Sequence, residues 1–101
     1  MGLTARPKPK HLHEKLLQIR LVLGLSQSEM LKHLGLGEGY FRSSISGYEL
    51  GTREPSLPVL LSYAKVAGVF IDVLVDDELL LPEKLANTSD RERGLKRFRR
   101  T

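Results

Sequence analysis

Few side chains in this chain of 101 residues are spaced for covalent or metal chemistry. His11, His13 and Glu14 bring metal-binding types together, but residues two apart do not share a helix face. No further ligand cluster accompanies them, so no metal site is expected. Asp72, Asp76, Asp77, Glu78 and Glu83 could suggest paired acid–base carboxylates or a calcium site. They lack the ligand spacing and the turn glycine of a calcium loop, and read as a solvated acidic edge. Gly35, Gly37 and Gly39 follow no strand and make no nucleotide-binding fingerprint. No Ser-His-Asp grouping has local support. The absence of cysteine removes disulfides and cysteine-based zinc from consideration. The expectation is therefore binding without catalysis and without a cofactor.

The charges that remain are cationic and sit at the ends. The net charge is +4; residues 1–10 carry +3, residues 90–101 carry +4, and the body between them is −3. Two basic ends suit a polyanion such as nucleic acid, or serve solubility alone.

The elements that must position any binding residue are legible from periodicity. Pro7 and Pro9 make residues 1–10 a flexible basic arm. Leu12, Leu16, Ile19 and Leu23 recur on one helical face and Gly24 closes that helix. Ser26 and Glu29 form a capping box that opens a short second helix through about His33, with Met30, Leu31 and Leu34 apolar. Gly35, Gly37 and Gly39 mark a loop. A third helix is expected to begin near residues 41–43 and run to Leu50, ended by Gly51. Ser56 caps a fourth, with Pro58 in its first turn and Leu57, Leu60, Leu61, Ala64 and Ala67 inward. Ile71–Val75 makes a fifth, with Ile71, Leu74 and Val75 inward. No strand is expected.

Between Arg20 and Leu74 stand GLSQSEM, then LG, then ISGYELGTREPSL, then AKVAGV. This order of elements resembles the XRE family of helix-turn-helix regulators, which includes the phage repressors and Cro proteins. The resemblance covers about half of the chain. It implies an all-α, compact five-helix repressor-like helix-turn-helix domain over residues 11–81. The arm over 1–10 and a disordered basic tail over 82–101 flank it. A helix-turn-helix lays its first helix across the DNA backbone and its second in the major groove. The resemblance assigns these roles to the helices opening at Ser26 and near Arg42. It implies that Gln27 bonds a phosphate at the start of a helix already favourable to anions. Ile45 becomes the buried anchor and Tyr48 a partly buried packing residue, while Arg42, Ser43, Ser46 and Gly47 face the groove. Arg42 has the fork that matches guanine O6 and N7, or it contacts phosphate only. Thr52 and Arg53 take the place of the phosphate-clamping connector, and Arg20 and Glu49 that of a buried ion pair.

One departure is plain: the stretch from Gly35 to Ile45 is longer than the family pattern by the residues Gly37–Tyr40. Tyr40 and Phe41 pack over the domain or contact the DNA backbone, and packing is the expectation. The implied function is sequence-specific binding of double-stranded DNA and control of transcription, as a homodimer that joins through Val69–Leu81. An antitoxin that binds DNA and also holds a toxin protein is the alternative. A protein- or RNA-binding module that uses the basic ends is a third reading. The opening residues MGLTARPKPK hold no apolar signal-like run and no stretch approaches a membrane span, so a cytoplasmic location is expected.

Overall fold

A computed structural model describes residues 8–83 and Leu85. Most of the basic arm and of the C-terminal tail therefore lies outside the described residues. Five helices follow in order: α1 (Leu12–Leu23), α2 (Gln27–Leu34), α3 (Arg42–Leu50), α4 (Leu57–Ala67) and α5 (Ile71–Val75). Among the described residues there is no strand. The protein is all-α.

The helix boundaries have local causes. The Ser26 hydroxyl accepts from the Glu29 amide at 3.0 Å, and the Glu29 carboxylate accepts from the Ser26 amide at 2.8 Å. This reciprocal pair satisfies donors that the first turn of α2 leaves free. α1, α2, α3 and α4 all end on a left-handed glycine: Gly24, Gly35, Gly51 and Gly68.

α3 packs against α1 and α2, α4 against α2 and α5, and α5 closes back on α1. The shared core holds Leu12, Leu16 and Ile19 of α1, Met30 and Leu34 of α2, Ile45 and Tyr48 of α3, and Leu74 of α5. From α4 it takes Val59, Leu60, Tyr63, Ala64 and Ala67. The expected α4 stripe is thus rotated. Leu57 and Leu61 are exposed, and Val59 and Tyr63 take their places inside. Helical spacing allows either set, and the one with Val59 and Tyr63 is buried. On α5, Leu74 is buried while Val75 is turned outward. Leu85 also joins the core, beyond the domain end at Leu81 expected from the sequence.

Two polar clamps fix the last helix to the first. Lys15 is buried, and its ammonium donates to the carbonyls of Val73 at 2.7 Å and Asp76 at 3.0 Å. The Asp77 carboxylate accepts from the backbone amides of Lys10, at 3.1 and 2.9 Å, and of His11, at 3.1 Å. Asp77 is thus a cap on the approach to α1, not part of a solvated acidic edge. These backbone bonds, Lys10 first and His11 next, hold its pKa below the usual aspartate value.

Candidate nucleic-acid interface

The geometry of α2 and α3 is set by a polar knot beneath them. Arg20 Nε donates to Glu49 Oε2 at 2.6 Å and Arg20 Nη2 to Glu49 Oε1 at 3.0 Å. Glu49 is only 6% exposed, so this two-point pair joins α1 to α3 from within. The paired carboxylate raises the pKa of Arg20. Arg20 Nη1 also donates to the Leu25 carbonyl at 3.0 Å, which fixes the turn between α1 and α2. The ion pair expected between Arg20 and Glu49 is present.

Gln27, at the start of α2, gives its side-chain amide to Glu49 Oε1 at 3.1 Å. It therefore lies at the seam of α2 and α3, half-buried. Its amide has a second N–H, and that donor and the backbone amides of Gln27 and Ser28 are what a phosphate could meet there, the Glu29 amide being held by Ser26.

An α-helix turns about 100° per residue. On α3, Ser44, Ile45, Gly47, Tyr48 and Glu49 are buried. The outward arc is accordingly Arg42, Ser43, Ser46 and Leu50; Ser46 is half-buried and the other three are exposed. Three residues expected to face a groove, Arg42, Ser43 and Ser46, share this arc. Gly47 does not. It is covered by the side chain of Arg53, which folds back from the connector, so its expected place facing the groove is corrected. Leu50, which the sequence reading did not assign to any interface, occupies the arc instead.

The arc is flanked on one side by Gln27 and Glu49 and on the other by Arg53. Thr52 and Arg53 are both exposed. Their amides donate to the Gly47 carbonyl at 3.0 and 3.1 Å, which ties the connector to the flank of α3.

Compared with family models, curated proteins and solved structures, the chain has no match.

The longer stretch before α3 has two faces. Gly37 and Gly39 take positive φ of 84° and 90°, a region open to glycine at little cost. Their turn brings Tyr40 against the core, as expected. Phe41 behaves otherwise: it is 64% exposed at the start of α3, where its amide donates to Ser44 Oγ at 3.1 Å. The expectation that it packs is corrected. The backbone at Phe41 is extended, and its ring is turned outward while that of Tyr40 packs inward. Sequence periodicity could have found the buried Lys15, which stands on the stripe between Leu12 and Ile19. A lysine there reads as polar only until its carbonyl partners on α5 are known.

Proposed function

We propose that the protein is a sequence-specific DNA-binding regulator of transcription that works through a helix-turn-helix, α2 and α3. It acts by occupying a site on double-stranded DNA, with no chemistry, and does so in the cytoplasm. The observation that supports this best is the outward arc of α3. It carries Arg42, Ser43 and Ser46; among the described residues Arg42 and Ser43 are exposed there and Ser46 is half-buried. The ion pair of Arg20 with Glu49 and the bond from Gln27 hold α2 and α3 at a fixed angle beneath that arc. Small serines let a helix approach base edges closely, and Arg42 is the side chain able to make a bidentate guanine contact. Gln27, Thr52 and Arg53 border the arc and would meet phosphates.

The fold holds no helix long and apolar enough to cross a membrane among the described residues. A second reading, an antitoxin, draws on Leu79 and Leu80, which are exposed beyond α5 and could meet a protein partner. It would be marked by a toxin that co-purifies.

Selection of duplexes from a random-sequence pool tests the main reading. Enrichment of a defined motif is expected. Arg42→Ala should then cost about 1–3 kcal/mol on the enriched duplex against a single-base mismatch, with little loss on random DNA. Arg53→Ala should weaken both duplexes alike. An unenriched pool would overturn the reading.

A further inference from the structure

Gly47 stands inside α3, where glycine is the poorest helix former after proline. Its φ is not in the left-handed region, so its own backbone does not require glycine. What requires it is Arg53. The chain reverses at Gly51 and hangs the amides of Thr52 and Arg53 on the Gly47 carbonyl. The Arg53 stem then runs across the bare Cα. A Cβ at residue 47 would stand 3.2 Å from Arg53 Cβ and 3.1 Å from both Cγ and Cδ. Carbon atoms pack best at about 3.5–4.0 Å. The root of the stem is in contact, not merely its flexible tip, so a methyl group would push the stem back from α3 by a few tenths of an ångström. With the stem seated, Nη1 reaches the first turn of α3, 3.5 Å from Ser44 Oγ.

We propose that Gly47 is a positioning residue for Arg53: the missing side chain is the seat that lays this arginine along the flank of the α3 arc. The consequence for binding rests on the DNA-binding function proposed above. An arginine already held along its stem loses less freedom when its guanidinium meets a phosphate. Gly47 acts through Arg53 and touches no DNA itself.

The test has two arms. In the free protein, nuclear Overhauser contacts should link the Gly47 α-protons to the Arg53 methylene protons; their absence overturns the seat, whatever the protein binds. In the second arm, wild type, Gly47→Ala, Arg53→Ala and the double variant are titrated with a duplex enriched from a random pool and with a random duplex, over a range of salt. Loss of one phosphate contact lowers the log–log salt slope by about 0.9, which is roughly tenfold in affinity at 0.1 M salt relative to 1 M. Gly47→Ala should move most of the way to the Arg53→Ala values on both duplexes. It should have no further effect in the Arg53→Ala background, and thermal melts should show all variants folded. Gly47→Ala with wild-type affinity and salt slope overturns the proposal, and so does an equal loss in both backgrounds. If Gly47→Ala fails to fold, the nuclear Overhauser arm decides the seat by itself. Seat contacts in a wild-type protein that binds no duplex would overturn the DNA-binding function and, with it, the consequence of the seat.

Discussion

At the scale of single residues, the Arg20–Glu49 pair carries the sharpest expectation. Both side chains are largely out of solvent, at 15% and 4% exposure. Removing one partner leaves the other charge buried without its counterion, at a cost of about 3–5 kcal/mol. Arg20→Met and Glu49→Gln should each lower stability by that order in urea titrations. Arg20→Met combined with Glu49→Gln should recover part of the loss, because no lone charge remains. A double variant as unstable as the sum of the singles would show that the charges do not compensate one another. This pair was legible in the sequence only through its family resemblance, since two charges 29 positions apart announce nothing by spacing. The place of Gly47 was not legible. Helical periodicity marks which residues share a face, but not that a connector six residues on returns to cover one of them.

At the scale of elements, periodicity and caps located all five helices to within a residue or two. They misjudged which way α4 turns, because two apolar stripes compete on it. The short α5 has only five residues, too few for a helix that stands alone in water. Lys15 and Asp77 supply what its length does not, and neither tie could be read before the fold brought α1 and α5 together. The Asp77 tie makes stability depend on acidity. Its folded pKa lies below the unfolded value, near 3.9, so the contribution is fully present above that value. It is lost as pH falls through the lower, folded pKa. The melting temperature should therefore drop on acidification below about pH 4, and Asp77→Asn should flatten part of that drop while lowering stability at neutral pH. Glu29, whose pKa is lowered chiefly by its bond from the Ser26 backbone, adds to the wild-type slope in the same direction. An acid limb of equal steepness in Asp77→Asn would show that Asp77 plays no part in it.

For the whole molecule, the charge distribution puts a net negative body between basic ends, so attraction to a polyanion is concentrated at those ends and at Arg42 and Arg53. The apolar surface is uneven too. Phe70, Val75, Leu79 and Leu80 are exposed, and Leu80 reaches 84%. An open apolar groove of about 260 Å³ lies between Leu61, Gly68 and Phe70. Leu81, by contrast, is half-buried and packs against the core. A homodimer through Val69–Leu81 would set two α3 helices on half-sites about 34–36 Å apart. Sedimentation should find dimers at high concentration or on DNA, and Leu79→Ser with Leu80→Ser should shift the equilibrium to monomer. Wild-type monomer under both conditions would refute it. The exposed leucines were legible as an excess over one small core; which of them the core would reclaim was not.

Tyr63 is fully buried in the core, and its hydroxyl has no hydrogen-bond partner among the described residues. Burial first, and then the Glu49 carboxylate nearby, push its pKa well above the ordinary tyrosine value. The folded chain therefore keeps this phenol protonated in alkali that would ionise it once unfolded. The stabilisation is complete below about pH 10, the unfolded value, and declines as pH rises toward the folded one. The chain has three tyrosines and no tryptophan, so phenolate absorbance reports on these three side chains alone. In an alkaline titration, the last tyrosine to ionise should do so together with the loss of helical circular dichroism, and Tyr63→Phe should remove that late step. A late ionisation that runs its course while the helices stay intact would mean the phenol is reached by hydroxide inside the folded core.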